Sequence, residues 1–353
     1  MNPPAKGLGN EFGAASKVLV RAANWVGDAV MMLPALASVR KGLSRSRIAI
    51  LTKPWVADLF YSNSLVDEVI LYESPGRHEG MRGKWNLAQK LKREAFDLAI
   101  LFQNAFEAAL IAFLAGIPAR AGYNTDARGV FLTHAVPVNG KVKKGHQVDY
   151  YREMARGLGF WSEERIPSLA VSREQKEEAG KILEALGLRE ETRLVGLGPG
   201  AAYGPAKQWF PERFGRLAER LTRDFGARIL IFGSGGDKST AALLIQNARV
   251  PLVDLTGQTT LGQAMGLMAR CRLFVSNDSG LMHVAAALGI PVVAIFGSTD
   301  PVRTGPLGEN CRVVRKPLPC APCLKTHCPE KRECMERITV DEVFEEARKV
   351  WNP

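Results

Sequence analysis

The chain has 353 residues, of which 46% are hydrophobic and 24% are charged, a balance typical of a soluble globular protein. No stretch of about 18 consecutive apolar residues occurs, which excludes a membrane-spanning helix. The length exceeds what one hydrophobic core usually serves, so we expect two domains.

The charge balance is strongly basic, with 47 lysines and arginines against 36 aspartates and glutamates, a net charge of +11. A local cluster of basic residues lies at Lys141, Lys143, Lys144 and His146. Such a surplus suits nucleic acid, an anionic membrane surface or a phosphorylated substrate equally well, and it does not choose among them.

Residues 1–16 are rich in glycine, proline and alanine and lack the apolar core of a signal peptide. We therefore expect a flexible N-terminal tail on a cytoplasmic protein.

Residues 17–172 alternate short apolar runs with helical patterns. A strand is predicted over Lys17–Arg21, then a turn at Asn24–Asp28 and a helix over Ala29–Lys41. Further strands and helices follow in the same alternation, at 48–52, 69–72, 85–93, 97–102 and 147–160. Alternation of this kind predicts βαβ units around a parallel sheet. Asp28, just after the strand and its glycine turn, is a candidate general base or simply a helix cap.

The same alternation restarts after a charged helical segment at 173–191 and continues to residue 340. The predicted strands and helices are at 193–198, 211–225, 227–232, 251–255, 263–270 and 273–275. We expect an α/β protein with two Rossmann-like domains, 17–172 and 173–340, facing a central cleft that binds the ligand. A last helix at 341–353 is expected to pack back on the N-terminal domain.

The stretch Ser276–Gly297 is the most informative part of the chain. Apolar residues end at Asn277-Asp278-Ser279-Gly280, which favour a turn and a helix N-cap, and a small-residue helix and a second strand follow. A strand–cap–helix unit presents unpaired N–H groups and a positive helix end to an anion such as a diphosphate. Asp278 and His283 flank that position; an ordinary cap and a packed helix histidine are the alternatives.

A second loop, Gly198–Trp209, offers glycines that let backbone approach a ligand, and Lys207 that could neutralise a phosphate. Glycines after strands also raise the alternative of a nicotinamide-dependent dehydrogenase. Neither glycine run matches GxGxxG with an acidic residue about twenty positions on, and there is no GK[ST] motif.

Four cysteines, Cys320, Cys323, Cys328 and Cys334, lie in a loop at 319–335. Such closely spaced thiolates could hold zinc or an iron–sulfur cluster, or they could be reduced structural thiols. A metal knuckle would also suit a basic nucleic-acid-binding module. No basic helix or pattern of stacking aromatics supports that class, so we predict no nucleic-acid partner.

Five blocks together resemble the ADP-heptose:lipopolysaccharide heptosyltransferases, glycosyltransferase family 9. They are NWVGDAVMMLPAL (24–36), GLGPGAAYGPAKQWF (196–210), LTGQTTL (255–261), SNDSGLMHVAAALGIPVVAIFGSTDP (276–301) and the cysteine-bearing tail. The resemblance implies a GT-B fold and an inverting transfer of L-glycero-D-manno-heptose from ADP-L-glycero-β-D-manno-heptose, with no required cofactor. The implied acceptor is heptosyl-Kdo2-lipid A, which receives the second heptose of the inner core; addition at another core position is the alternative.

The resemblance also implies roles for individual residues. Asp28 would be the base, and Lys207 would stabilise the departing ADP. The residues implied for donor binding are Ala202, Tyr203, Lys207, Thr259, Leu261, Asp278, Ser279, Gly280, Leu281 and His283, with Asp237 as a candidate for the ribose. Asn104 and Arg128 are candidates for acceptor contact. We further expect a monomer that associates peripherally with the cytoplasmic face of the inner membrane, where the lipid acceptor lies.

Overall fold

The computed structural model describes residues 12–351, without the side chain of Lys141. Most of the predicted N-terminal tail therefore lies outside the described residues. The chain divides into two compact units, Met1–Pro167 and Ser168–Pro353. The predicted boundary at residue 172 lies slightly too far along the chain, since the Leu169 N–H already donates to the Ala287 carbonyl of the second unit.

The first unit contains a six-stranded parallel sheet in the order β3-β2-β1-β4-β5-β6. Its strands are β1 (Lys17–Arg21), β2 (Arg47–Thr52), β3 (Glu68–Leu71), β4 (Leu98–Leu101), β5 (Ala119–Tyr123) and β6 (His134–Val136). The central strands are apolar and buried almost end to end, because helices cover both faces of a parallel sheet.

The helices of the first unit connect these strands. They are α1 (Val26–Met31), α2 (Leu33–Gly42), α3 (Gly80–Arg93), α4 (Phe106–Leu114), α5 (Gly140–Lys144) and α6 (Gln147–Gly157), with 3-10 turns at Pro54–Leu59 and Arg128–Phe131. The predicted helix at 29–41 is two helices, α1 and α2, which meet at Met32 just before Pro34.

The second unit repeats the architecture with the strand order β12-β11-β10-β7-β8-β9, again entirely parallel. Its strands are β7 (Leu194–Gly198), β8 (Arg228–Ile231), β9 (Leu252–Asp254), β10 (Cys271–Asn277), β11 (Val292–Phe296) and β12 (Cys311–Arg315). Its helices are α7 (Arg173–Ala185), α8 (Pro211–Phe225), α9 (Lys238–Gln246), α10 (Leu261–Met268), α11 (Gly280–Ala287), α12 (Pro301–Thr304), α13 (Glu333–Glu336) and α14 (Val340–Trp351).

Both sheets have the doubly wound strand order of a Rossmann-like fold. In each, the direction of winding reverses between the first and fourth strands, β1 and β4 or β7 and β10. In such sheets ligands bind beyond the carboxyl ends of the strands at this reversal. We therefore expect the ligand-binding and catalytic residues on the loops that follow β1, β4, β7 and β10.

The C-terminal helix α14 packs in the second unit. Its Val343, Phe344 and Ala347 belong to the hydrophobic core that lies against α8 and the second sheet. Amphipathic spacing shows that a helix has a face to bury but not which core receives it.

Several elements were not anticipated, among them α4, α9 and the strands β5, β6 and β12. The strands β6 and β12 are edge strands, and their mixed polar sequences lack a clear period. Within residues 12–351, no helix is both long and apolar enough to span a bilayer.

Candidate functional site

A buried ion pair lies at the reversal point of the second sheet. The Lys207 Nζ is 2.6 Å from Asp278 Oδ2, and the two side chains are only 13% and 5% exposed. Lys207 ends a 3-10 turn, Pro205–Lys207, in the loop after β7, while Asp278 directly follows β10. Because β7 and β10 are neighbours, these two predicted site residues meet although they lie far apart in the sequence.

A third loop completes the environment of the carboxylate. Thr299, which follows β11, donates its hydroxyl to the same Asp278 Oδ2 at 2.6 Å. A buried carboxylate is costly unless it is paired and hydrogen-bonded, and here both requirements are met. Thr299 lies in the GSTDP part of the resemblance, but a threonine in a loop after a strand carries no local signal of this contact.

Asn277 holds the loop that carries Lys207 next to Asp278. Its Oδ1 accepts from the Trp209 N–H at 2.9 Å, and its Nδ2 donates to the Pro199 carbonyl at 2.6 Å. The side chain is fully buried, so it holds both ends of the loop that carries Lys207. The sequence pattern marked Asn277 only as a turn former, and a buried amide cannot be distinguished from a turn asparagine without the fold.

Helix α11 begins beside this ion pair, as predicted. Ser279 is its N-cap: the hydroxyl accepts from the Met282 N–H at 3.4 Å and lies 3.0 Å from the Ser276 hydroxyl. Gly280 and Leu281 in the first turn are partly exposed, and His283 is buried in the following turn. The positive end of the helix and its first N–H groups are thus available to an anion.

The loop at 201–206 is held by the cysteine-rich segment. Tyr203 donates its hydroxyl to the Leu324 carbonyl at 2.7 Å, and its ring lies 4.7 Å from the Lys207 ammonium. The Ala206 N–H donates to the Thr326 carbonyl at 3.0 Å. Ala202 in the same loop is exposed, so a ligand at this edge can reach it.

The remaining donor candidates lie on neighbouring loops. Thr259 and Leu261 are partly exposed at the start of α10, where Thr260 forms the capping box. Asp237 accepts from the Ser234 N–H and hydroxyl, both at 2.8 Å, and it packs so closely on Gly200 that a side chain there would clash. Asp237 therefore joins two loops of the site as well as being a candidate for the ribose.

Asp28 lies at the reversal point of the first sheet, in the first turn of α1. Asp28 is partly exposed, and Tyr151 Oη lies 3.5 Å from Asp28 Oδ1. Burial, and then the charge of Asp28, raise the pKa of Tyr151 well above its ordinary value. The phenol thus remains a hydrogen-bond donor, which stabilises the ionised carboxylate that a general base needs.

Arg128, in the first unit, is completely buried. It donates to the Tyr123 carbonyl at 2.9 Å, to the Gln103 carbonyl and to Asn104 Oδ1 at 3.1 Å. Burial lowers the pKa of Arg128 to about 10. Arg128 therefore orients Asn104, which is partly exposed after β4 and also donates to Tyr150.

The four clustered thiols have unequal environments. Cys334 is buried, Cys323 and Cys328 are half-buried, and Cys320 is exposed. Burial raises the pKa of the Cys334 thiol. Within the described ranges, no three histidine, cysteine, aspartate or glutamate side chains are arranged to hold a metal ion.

Comparison with known proteins matches the chain to a family. The family model "Glycosyltransferase family 9 (heptosyltransferase)" matches residues 84–333. The chain is 32% identical over 312 residues to lipopolysaccharide heptosyltransferase 2 of Escherichia coli, covering 85% of this chain and 88% of that protein. Identity to lipopolysaccharide heptosyltransferase 1 of Pseudomonas aeruginosa is 27% over 329 residues, covering 88% and 87% of the two chains.

The solved structure of E. coli ADP-heptose lipopolysaccharide heptosyltransferase II superimposes with a TM-score of 0.80 at 28% identity, covering 95% of this chain and 98% of that chain. The predicted fold class, α/β of the GT-B type with two Rossmann-like units, is thereby confirmed. The dehydrogenase and nucleic-acid-binding alternatives are set aside by the family match. The chain belongs to glycosyltransferase family 9, the heptosyltransferases.

Proposed function

We propose that this protein is an inverting glycosyltransferase that moves L-glycero-D-manno-heptose from ADP-heptose to heptosyl-Kdo2-lipid A, adding the second heptose of the inner core. Identity to lipopolysaccharide heptosyltransferase 2 of E. coli, at 32%, exceeds that to heptosyltransferase 1 of P. aeruginosa, at 27%, which favours this acceptor over heptose-free Kdo2-lipid A.

The observation that carries the donor half of the proposal is the buried Lys207–Asp278 pair beside the N-terminus of α11. The diphosphate of ADP would lie against the Lys207 ammonium and the N–H groups at Ser279, Gly280 and Leu281. Both contacts of Asp278 fall on Oδ2, so Oδ1 is our candidate acceptor for a heptose hydroxyl. His283 would support this arrangement from the buried side of the helix.

The roles of the other donor residues follow from the family resemblance, and their loops lie at the same edge of the second sheet. Ala202 and Tyr203 would contact the phosphates or the sugar, and Thr259 and Leu261 the adenine. Asp237 would contact the ribose. No metal is needed in this proposal, because Lys207 and the helix end supply the positive charge for the leaving diphosphate.

Asp28 would take the proton from the acceptor hydroxyl as its oxygen attacks the anomeric carbon of the heptose. The new C–O bond forms on the face opposite the bond to ADP, which breaks with both electrons remaining on the diphosphate. Attack from the face opposite the leaving group inverts the configuration at the anomeric carbon. Asn104, oriented by Arg128, would help to hold the acceptor.

The acceptor is an anionic lipid, and the chain carries a net charge of +11. We infer a cytoplasmic monomer that binds peripherally to the inner face of the inner membrane, since polybasic surfaces are attracted to anionic lipids.

Replacement of Asp28 tests the base. D28N keeps the size of the side chain but lacks a basic carboxylate, so we expect a loss of kcat of about 10²–10⁴-fold. ADP-heptose binding, measured by calorimetry, should remain within about twofold of the wild type. Turnover at the wild-type rate in D28N and D28A would remove Asp28 from this role.

The acceptor assignment is tested by a transfer assay with acceptors that carry zero, one or two heptoses. We expect product only with the one-heptose acceptor. Product with the heptose-free acceptor alone would reassign the protein to the first transfer of the core.

A further inference from the structure

A cluster of cations lies at the carboxyl ends of β1, β2 and β3 in the first unit, apart from the Asp28–Tyr151 contact. Arg21 ends β1 and is 1% exposed, and Lys53 follows β2 and is 5% exposed. The Tyr72 ring after β3 lies close to both: its centroid is 3.9 Å from Lys53 Nζ and 5.1 Å from Arg21 Cζ. Two like charges are thus buried around one aromatic ring.

The hydrogen bonds that hold these cations are mostly to neutral groups. Arg21 donates to the Ala22 carbonyl at 2.6 Å and to Asn24 Oδ1 at 2.6 Å. Lys53 donates to the Ser74 carbonyl. The Arg21 Nε–H is buried without a hydrogen-bond partner among the described residues.

Among the described residues, Glu107 is the carboxylate whose charge acts on Arg21 and Lys53, and it is already paired. Glu107 pairs with Lys84 at 2.9 Å, and these two side chains, 29% and 22% exposed, lie on the solvent side. Burial acts to raise the pKa of Glu107, but Lys84, the Tyr72 hydroxyl and the charge of Lys53 together lower the pKa. Arg21, Lys53 and Lys84 against Glu107 make three cations and one anion, a surplus of two positive charges (3 − 1).

Such a surplus is unfavourable in the isolated protein. Burial, followed by the charge of Arg21, lowers the pKa of Lys53, and burial lowers the pKa of Arg21 to about 10. Buried like charges cost free energy unless an opposite charge compensates them. Sites that keep such uncompensated buried charges are commonly functional.

The cluster is connected to the loop of the proposed base. Asn24, which accepts from Arg21, also accepts through its carbonyl from the Trp55 indole N–H at 2.8 Å. Trp55 lies two residues after Lys53; its ring lies 5.6 Å from the Lys53 ammonium and is 47% exposed. A ligand bound here would therefore lie next to the Asn24–Asp28 loop, with an exposed aromatic face for a sugar ring.

We propose that Lys53 and Lys84, backed by the charge of Arg21, form a subsite for an anionic group of the acceptor, a carboxylate of its acidic sugars or a phosphate of its lipid. This inference rests on the proposed function and adds to it the group by which the acceptor is recognised. Arg21 is a positioning residue here, because it acts through Asn24 and through its charge.

The test compares K53M and K53R with the wild type in the transfer assay. Charge-assisted hydrogen bonds predict that K53M raises KM for the acceptor roughly 10- to 100-fold, while KM for ADP-heptose changes less than about twofold. K53R keeps the positive charge, so its KM for the acceptor should rise much less. K17M is the matched control, since Lys17 lies at the opposite end of β1 and donates to the Glu94 carbonyl.

Thermal unfolding separates this role from a structural one. Removing a buried surplus charge should leave the midpoint of K53M equal to or above that of the wild type, whereas a purely structural lysine predicts a lower midpoint and no selective change in acceptor KM. An unchanged acceptor KM in K53M, or equal losses in K53M and K53R, would overturn the proposal.

The substrate can be varied as well, which needs no folded variant. Acceptor with methyl-esterified carboxylates and acceptor lacking the lipid phosphates are each assayed with the wild type. A KM rise of about tenfold for one of them identifies the source of the anion, and no rise for either rejects the subsite. Absence of any transfer by the wild type with intact acceptor would instead refute the proposed function.

Discussion

At the scale of single residues, the site of the second unit depends on a few side chains that hydrogen-bond to or form ion pairs with one another. Asp278 is paired by Lys207 and Thr299, and Asn277 holds the loop that carries Lys207. A lysine held at 2.6 Å from a buried carboxylate keeps its position before a ligand arrives. Preorganised charge of this kind stabilises a developing anion without a reorganisation cost during the reaction.

We therefore expect K207M to reduce kcat by about 10²–10³-fold, corresponding to roughly 3–4 kcal/mol of lost stabilisation of the leaving diphosphate. The measurement is steady-state transfer from ADP-heptose. K316M is the control, because Lys316 is also a partly buried lysine of the second unit, paired with Glu342. Equal losses in the two variants would show that any paired lysine of this unit matters, and Lys207 would lose its role.

At the scale of elements, the loop after β7 has its shape imposed by the cysteine-rich segment. Gly204 has φ of +147°, and a Cβ there would lie 2.5 Å from the Thr326 carbonyl oxygen. Tyr203 and Ala206 on either side hydrogen-bond to Leu324 and Thr326. The cysteine-rich segment thus acts as a strap over the loop that ends in Lys207, whatever else its thiols do.

Substitution of Gly204 tests this strap. G204A would have to adopt strained backbone and displace Thr326, so we expect a loss of about 1–3 kcal/mol in the free energy of unfolding and at least a tenfold fall in kcat/KM for ADP-heptose. Both are measured, by chemical denaturation and by the transfer assay.

G180A is the matched control for that substitution. Gly180 lies inside α7 with no atom within 4 Å of an added Cβ. Alanine there should raise the free energy of unfolding by about 0.5–1 kcal/mol and leave activity unchanged. A G204A variant as stable and active as the wild type would show that the strap does not constrain the loop.

At the scale of the whole molecule, the chain is two compact units with separate cores and the same strand order. The last helix belongs to the core of the second unit. Phe344 on α14 stacks on Phe225 with ring centroids 5.2 Å apart, and Trp351 stacks on the same ring at 4.5 Å. The helix therefore contributes to the stability of the unit that carries Lys207 and Asp278.

F344A should lower the stability of the second unit by about 3–5 kcal/mol, the usual cost of removing a buried phenyl ring. Hydrogen exchange followed by mass spectrometry should show faster exchange in peptides of residues 168–351 and little change in residues 12–167. The reverse pattern is expected for F96A, since Phe96 is buried in the core of the first unit. Faster exchange in both units on F344A would contradict a separate core.

The sequence by itself determined the class of fold and the segments that carry the site. Buried strands such as β1 and β10 and helices such as α8 have periods that local residues encode, and Asp28, Lys207 and Asp278 stand just beyond strands. Parallel strands bring such ends to one edge, so their general place followed without coordinates.

Only the tertiary structure decided which side chains meet. The bond from Trp209 to Asn277 spans 68 residues, Thr299 reaches Asp278 from a third loop, and Arg128 points inward to backbone carbonyls. The location of α14 could not be read from the sequence either, nor could the proximity of Arg21 and Lys53 to the same Tyr72 ring. Periodicity is a short-range property of the chain, whereas these contacts depend on strand order and packing, which place residues distant in sequence side by side.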